Sequence, residues 1–309
     1  MQIEIKNLVK HFGKTKAVDD ISFSFKSGDI YGFVGPNGAG KTTTLRIMAT
    51  LDEPDSGDVL LDGISLKDHP EDARHIVGFV PDSLPAHADI TVDEYLDFYA
   101  RAYGIHGKQR RKAIDEVQEF TGLTDLRHKL LKSLSKGMKQ RVSVGRSLVH
   151  NPNLLLMDEP AAGLDPRARI EFRELVTVLA EMGKAVLISS HILTELTEVC
   201  NGVVIIEKGH ILETGVIDDV MHRRRKSFMV AARSLDAPEK LFKALLEMPH
   251  VANATLASNE VHIELRGDHA QAADLLSELI RTNHRIIEFR HIEDDLEDIF
   301  MKVTKGDVQ

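Results

Sequence analysis

The segment "DIYGFVGPNGAGKTTTLRIM", residues 29–48, constrains the fold more than any other part of the chain. An apolar run that ends in glycine is typical of a buried strand, and the residues after it predict a helix. Between them, "GPNGAGKT" fits the pattern G-x-x-x-x-G-K-[ST], whose glycines Gly35, Gly38 and Gly40 allow backbone N–H groups to turn inward around phosphate oxygens. In this pattern Lys41 reaches the β- and γ-phosphates, and the Thr42 hydroxyl can bind Mg²⁺. The segment therefore predicts a nucleotide-phosphate loop in an α/β fold.

A second buried strand ends in two carboxylates. In "LLLMDEP", residues 154–160, four apolar residues precede Asp158 and Glu159. Asp158 can hold Mg²⁺ through water, and Glu159 can orient and deprotonate an attacking water. Two acids at a strand end also occur as ordinary surface residues. Next to a phosphate loop, the catalytic interpretation is favoured.

The segment "SLSKGMKQR", residues 133–141, has the features of another anion site. Ser135 can cap a helix, Gly137 lets a ligand approach the backbone, and Lys136, Lys139 and Arg141 add positive charge. This site has no complete nucleotide pocket of its own. We therefore expect it to complete the pocket of a neighbouring subunit.

Hydrophobic patterning outlines the rest of the first domain. "QIEIKNLV" and "DISFSFKSG" alternate as half-buried strands do, and residues 91–150 are mostly helical in their spacing. "NLLLMDE" and "KAVLISSH" flank the predicted helix "PRARIEFRELVTVLAEMG", which indicates a parallel sheet. "GVVIIEKGHILETG" predicts a hairpin that turns at Lys208-Gly209.

A separate unit follows the basic run "HRRRK", residues 222–226. We interpret this run as a solvated linker, with contact to anionic lipid headgroups as the weaker alternative. Beyond it, the order strand-helix-strand-strand-helix-strand is the ferredoxin-like pattern, with a hairpin turn at Ser258-Asn259. A last helix, "DDLEDIFMKVT", closes the chain, and no catalytic motif lies in this unit.

Composition narrows the function classes. The chain has 309 residues and a net charge of −9, which suits about two globular domains and disfavours a general nucleic-acid binder. Its single cysteine, Cys200, excludes an internal disulfide framework and a multi-cysteine metal site. No stretch approaches 18 apolar residues, so we expect membrane contact only through a partner chain.

The ordered set of "GPNGAGKTT", "LSKGMKQR", "LLLMDEP", "AGLDP" and "LISSH" resembles the ATPase subunit of an ATP-binding cassette (ABC) transporter, over residues 1 to about 220. The resemblance implies an ATP- and Mg²⁺-dependent ATPase, in which Phe12 stacks on adenine and His191 contacts the γ-phosphate. His191 also ends a buried strand at the edge where open α/β sheets bind ligands. It implies nucleotide contacts from the phosphate loop, the signature motif and the loop that joins two subunits: Gly35, Pro36, Asn37, Gly38, Ala39, Gly40, Lys41, Thr42, Thr43, Leu134, Ser135, Lys136, Gly137, Met138 and Asp165.

Two positions depart from the usual family pattern. After the strand "GFVP" the family usually has Gln as a Mg²⁺ and water contact, and this chain has Asp82. Met138 replaces the usual glutamine of the signature. Branches that export drugs, antibiotics and polysaccharides resemble the chain at both positions, and they also carry a C-terminal domain that ends in a helix like "LEDIF".

The fold expected from this resemblance is a P-loop NTPase cassette at residues 1–221, with a mixed core sheet, an antiparallel β subdomain and a helical subdomain at about 83–150. A small ferredoxin-like α+β accessory domain would follow at 222–309. The expected protein is a peripheral exporter ATPase on the cytoplasmic side of the membrane. We expect it to act as a head-to-tail homodimer, or with a paired ABC subunit, and to drive a separate transmembrane permease. The predicted catalytic residues are Lys41, Glu159 and His191, and the predicted metal ligands are Thr42, Asp82 and Asp158.

Two alternatives remain at this level. A soluble cassette ATPase that acts on ribosomes or DNA usually carries two cassettes, a long coiled coil or zinc cysteines. This sequence has one phosphate loop, no pattern of a long coiled coil and no zinc cysteines. A catalytically dead regulatory module would lack the base or the lysine, and Glu159 and Lys41 are both present.

Overall fold

The computed structural model of the chain describes residues 1–84, 89–192, 196, 198–224 and 228–292. Contacts within the chain divide it into two units, Met1–Asp218 and Asp219–Gln309. The domain bounds 1–221 and 222–309 stay a prediction. Within the described ranges, no helix is long and apolar enough to cross a membrane. The predicted closing helix and its "LEDIF" segment lie outside the described residues.

The strands of the first unit are, in chain order, β1 (Gln2–Phe12), β2 (Thr15–Lys26), β3 (Ile30–Val34), β4 (Ser56–Leu61), β5 (Ile64–Ser65), β6 (Val77–Val80), β7 (Leu154–Met157), β8 (Ala185–Ser190), β9 (Gly202–Glu207) and β10 (His210–Val216). Its helices are α1 (Lys41–Met48), α2 (Pro70–Ile76), α3 (Val92–Ala102), α4 (Gly107–Phe120), α5 (Lys136–Leu148) and α6 (Pro166–Glu181), and α7 (Ile217–Arg224) continues past Asp218.

The N-terminal strands form a four-stranded antiparallel sheet in the order β2-β1-β4-β5. Its register pairs Ile3 with Phe25 and Ile5 with Phe23, and all four side chains are buried. The alternation of "QIEIKNLV" and "DISFSFKSG" therefore predicts the buried face correctly.

A six-stranded sheet in the order β10-β9-β3-β8-β7-β6 forms the centre of this unit. Five of its strands are parallel, and only the pair β9/β10 is antiparallel. Every residue of β3, β7 and β8 is buried, as their continuous apolar runs predict. Because parallel strands end at the same edge of a sheet, the segments after β3, β6, β7 and β8 are brought together there.

Helices α3, α4 and α5 confirm the helical pattern predicted between residues 91 and 150. Helix α3 begins with a capping box, in which Thr91 and Glu94 satisfy each other's backbone N–H groups. The hairpin β9/β10 turns at Lys208-Gly209 as predicted, with both residues at positive φ.

The second unit contains β11 (Phe228–Ser234), α8 (Pro238–Leu246), β12 (Val251–Ala257), β13 (Glu260–Leu265), α9 (His269–Arg281) and β14 (Ile286–Ile292). Its sheet has the order β12-β13-β11-β14 with antiparallel neighbours, which is the ferredoxin-like arrangement that the sequence predicts. A separate core of apolar side chains from these strands and helices lies inside the unit.

The run at residues 222–226, predicted to be a solvated linker, is helical in its first part, and its role as a linker stays a prediction. Residues 222–224 continue helix α7, and Arg225 and Lys226 lie outside the described residues. Arginine and lysine have good helix propensity, so a basic run continues a helix as readily as it forms an irregular linker.

Candidate functional site

The predicted phosphate loop connects β3 to α1, as its flanking patterns require. Gly40 caps α1 with φ 109°, and a Cβ at this position would lie 2.3 Å from the carbonyl oxygen of Ala17. A Cβ at Gly35 would lie 2.2 Å from the carbonyl oxygen of Ile206. Both positions therefore need glycine, because the loop packs directly against backbone from β2 and β9.

Lys41 is nearly buried inside this loop, with only 5% of its surface exposed. Its ammonium donates to the carbonyl oxygens of Gly35 at 2.7 Å and Pro36 at 3.3 Å. The same nitrogen lies 3.3 Å from a carboxylate oxygen of Glu159. The loop thus holds the ammonium charge of Lys41 at a fixed position beside the predicted base.

The two carboxylates at the end of β7 have different environments. Asp158 is buried, and its Oδ1 accepts a hydrogen bond of 2.7 Å from the hydroxyl of Ser189 in β8. Glu159 adopts φ 46°, and its backbone N–H donates to the same Ser189 hydroxyl at 2.9 Å. One serine side chain therefore contacts both acids.

The side chain of Glu159 lies between Lys41 and His191. One carboxylate oxygen faces the Lys41 ammonium, and the other lies 2.8 Å from Nδ1 of His191. Because an ionised carboxylate only accepts hydrogen bonds, Nδ1 carries the proton in this contact. Glu159 is thus in direct contact with both of the other residues predicted to act in catalysis.

An open cleft of about 590 Å³ lies beside the phosphate loop. Thr42, Asp82 and Asp158, the three predicted metal ligands, all line it, together with Lys41 and Glu159. Hydroxyl and carboxylate oxygens are the donors that Mg²⁺ prefers, and one or two carboxylates suffice where phosphates supply the remaining ligands. The residues present therefore fit a Mg²⁺–nucleotide complex.

Sequence reasoning missed Arg46, which also lines the cleft. Its guanidinium forms a bidentate ion pair with Asp52. These hydrogen bonds lower the pKa of the Asp52 carboxyl and raise the pKa of Arg46. The spacing of Thr42, Thr43 and Arg46 along α1 places all three on one helix face, and this signal could have identified Arg46. The contacts of Ser189 depend on strand register and had no such local signal.

The five signature residues, Leu134 to Met138, are not among the described residues that line this cleft. Ser135 caps α5, as predicted, with its hydroxyl accepting from the N–H of Met138. Its side chain and that of Lys136 are exposed. In one chain, therefore, the signature helix start and the phosphate cleft are separate surfaces.

Asp165 caps the neighbouring helix α6 by accepting a hydrogen bond of 2.9 Å from the N–H of Ala168. The starts of α5 and α6 are in contact, since a Cβ at Gly137 would lie 3.1 Å from that of Ala168. A Cβ at Gly163 would lie 2.6 Å from the ammonium nitrogen of Lys136. The signature and the "AGLDP" loop therefore form one continuous surface.

Phe12 ends β1, and its side chain is 52% exposed. The ammonium of Lys10 lies 5.5 Å from the centre of its ring. Phe12 is not among the described residues that line the cleft, so its contact with adenine stays a prediction. An exposed ring is free to stack on a base.

Comparison with known proteins gives two family matches. Residues 18–162 match the family described as "ABC transporter", and residues 215–304 match "ATP-binding protein DrrA1-3-like, C-terminal domain". The structure described as "Structure of ATP binding subunit of ABC transporter" covers 72% of this chain and 93% of its own, at 29% identity and a TM-score of 0.65.

Two relatives match almost the whole chain. The "Linearmycin resistance ATP-binding protein LnrL" of Bacillus subtilis (strain 168) is 32% identical over 98% of both chains. The "Bacitracin transport ATP-binding protein BcrA" of Bacillus licheniformis is 35% identical over 98% of this chain and 97% of its own. These relatives favour transport over action on ribosomes or DNA. The chain belongs to the ABC transporter family, as an ATP-binding subunit with a DrrA1-3-like C-terminal domain.

Proposed function

We propose that this ATPase is the peripheral, cytoplasmic subunit of an exporter and drives a separate transmembrane permease. Two copies would hydrolyse Mg²⁺-ATP at shared sites, each built from residues of both copies. The observation that carries the proposal is the separation of the signature helix start from a cleft that gathers Lys41, Asp158 and Glu159. The names of the two relatives, which refer to resistance to linearmycin and transport of bacitracin, support the export direction.

In this proposal the residues of the cleft have distinct roles. Backbone N–H groups of the loop and the Lys41 ammonium bind the β- and γ-phosphates. Glu159 orients the attacking water and accepts its proton. His191, whose Nδ1 is held by Glu159, contacts the γ-phosphate. Thr42, Asp158 and Asp82 would hold Mg²⁺, which neutralises phosphate charge when bound.

The signature helix of one copy would complete the cleft of the other. Its exposed start joins a helix N-terminus to the cationic Lys136, and this combination suits the γ-phosphate. ATP would favour the closed dimer because these contacts form only there, and hydrolysis would remove that difference in affinity. Opening and closing of the dimer would then drive the permease.

A mixed-dimer experiment tests the shared sites. One chain carries Lys41→Ala and the other Ser135→Arg, so each homodimer has both sites damaged and is expected to be inactive. In a mixed dimer with shared sites, one pocket collects both lesions. The other pocket combines intact Lys41 with intact Ser135, and phosphate release should partly recover.

The control is a demonstration that mixed dimers form, by co-purification through different affinity tags. Each mutant alone, at the same total concentration, gives the baseline. Recovered phosphate release supports the shared arrangement. If confirmed mixed dimers, loaded with ATP, show neither recovered turnover nor a single burst of phosphate, independently working shared sites are refuted.

A further inference from the structure

Ser189 is completely buried in β8, beside the end of β7. The parallel register pairs Met157 with Ile188, and the next residues along the two strands are therefore Asp158 and Ser189. Its hydroxyl donates to Oδ1 of Asp158 at 2.7 Å and accepts from the N–H of Glu159 at 2.9 Å. A serine hydroxyl has one proton to donate, and here that proton goes to the aspartate.

We propose that Ser189 is a positioning residue for ATP hydrolysis, which orients the metal-binding carboxylate and the catalytic base through this single hydroxyl. The inference rests on the roles of Asp158 and Glu159 proposed above. It adds to the machinery a residue inside β8, two positions before His191.

The contact with Asp158 fixes the direction of its carboxylate. Because Oδ1 accepts from Ser189, the carboxylate is held in one orientation, in which Oδ2 can face a cation in the cleft that Asp158 lines. Partners that hold a ligating carboxylate in this way set its orientation, and their loss typically costs about 10–100-fold in metal affinity or activity.

The contact with Glu159 fixes its backbone. At φ 46° this residue is in the left-handed region, which a glutamate adopts only when its surroundings hold it there. Two backbone contacts do so: the N–H donates to Ser189, and the carbonyl accepts from the N–H of Ala162 at 3.1 Å. Without the hydroxyl, the base can relax away from its position between Lys41 and His191.

The adjacent Ser190 shows that burial in β8 does not by itself create this link. Ser190 is also buried, at 4% exposure, but its hydroxyl bonds locally to the backbone of Ile192. Successive residues of a strand point to opposite faces, so only Ser189 reaches the two acids.

The test compares Ser189→Ala and Ser189→Cys with the wild-type chain. Alanine removes the hydroxyl. Cysteine keeps a similar side-chain volume but forms only weak hydrogen bonds, so the cysteine variant provides the test if the alanine variant does not fold. Ser143→Ala is the matched control: Ser143 is completely buried in α5, and its hydroxyl has no hydrogen-bond partner among the described residues.

The first measurement is amide hydrogen exchange of the nucleotide-free protein at Glu159, followed in short peptides around Asp158. We expect faster exchange in both Ser189 variants and wild-type exchange in the control, because only Ser189 accepts this N–H. The second is steady-state ATP hydrolysis. We expect kcat to fall by about 10–100-fold, the half-saturating Mg²⁺ concentration to rise, and KM for ATP to change by less than about twofold.

Three results would overturn the inference. These are unchanged kcat in a folded variant, unchanged exchange at Glu159 despite lower kcat, and a fall in kcat of the same size in Ser143→Ala. A wild-type chain that hydrolyses no ATP would instead refute the proposed function, whatever the variants show.

Discussion

Replacing Glu159 by glutamine separates the charge of this side chain from its shape. The carboxylate lies 3.3 Å from the Lys41 ammonium and 2.8 Å from Nδ1 of His191. Glutamine fills the same space, and its oxygen can still accept one of these contacts. It cannot accept a proton from water, so we expect ATP to bind while turnover is lost.

Two magnitudes follow from the geometry. At 3.3 Å and an effective dielectric constant of about 20, the Coulomb energy of the pair with Lys41 is about 5 kcal/mol. The net loss is smaller, because Lys41 keeps its carbonyl contacts and the cleft is open to water. Hydrogen bonds to charged groups typically contribute about 1.5–3 kcal/mol, so we expect the free energy of unfolding to fall by about 1–3 kcal/mol. Loss of general base catalysis should lower kcat by about 10²–10⁴-fold.

The assay combines phosphate release, ATP binding and chemical unfolding of the nucleotide-free protein. Unfolding should be followed by circular dichroism, because the chain contains no tryptophan. Glu181→Gln is the matched control, since it makes the same chemical change at an exposed residue at the end of α6. Light scattering would show whether Glu159→Gln accumulates an ATP-bound dimer. A Glu159→Gln protein that hydrolyses ATP at the wild-type rate would remove Glu159 from the role of base.

Three further predictions concern the cleft, the second unit and a partly buried histidine. Asp82→Gln should keep basal ATPase activity, whereas Asp82→Ala should raise the half-saturating Mg²⁺ concentration; identical Mg²⁺ titrations of wild type and Asp82→Ala would make this position purely structural. The fragment 1–221 should fold and bind ATP, because every predicted nucleotide motif lies within it, and loss of binding in a soluble fragment would contradict this. Burial lowers the pKa of His150 to about 4 from 6.5. As the pH falls, the His150 side chain is therefore protonated in the unfolded chain before it is protonated in the folded chain. The free energy of unfolding should therefore decrease between about pH 6.5 and 4, by up to about 3 kcal/mol, and His150→Gln should lose this part of the pH dependence.

Features with a strong local signal could be predicted from the sequence. The phosphate loop needs glycines at fixed positions, and strands β1 and β2 alternate because one face is buried. The ferredoxin-like order of the second unit follows from its sequence of strands and helices, since short connections allow few arrangements.

Features that depend on long-range register could not be predicted in this way. Glu159 and His191 are 32 residues apart, and their contact requires β7 and β8 to pair in one particular register. The link through Ser189 has the same origin. A shift by one residue would turn these side chains to the opposite face, and the local sequence of either strand does not determine which register forms.

Short elements with weak patterns were also missed. Strand β5 has two residues, and helix α2 has seven. Helix α2 begins with proline, which is favourable at a first helical position, but so short a helix depends on packing more than on propensity.

The charges of the cleft indicate why a metal ion and a second chain should strengthen nucleotide binding. Among the residues that the structure describes, its charged lining comprises the carboxylates of Asp82, Asp158 and Glu159 and the cations Lys41 and Arg46. Arg46 is already paired with Asp52, outside this lining, and Lys41 contacts Glu159. Apart from the backbone N–H groups of its phosphate loop, one chain alone would therefore offer a triphosphate little uncompensated positive charge, and the carboxylates would repel it. Mg²⁺ can compensate the acids, and the start of α5 from a second copy, with Lys136 exposed beside it, can supply positive potential on the other side of the γ-phosphate. The aspartate at position 82, where the family usually has glutamine, makes this cleft more negative and so should make its nucleotide affinity more dependent on Mg²⁺.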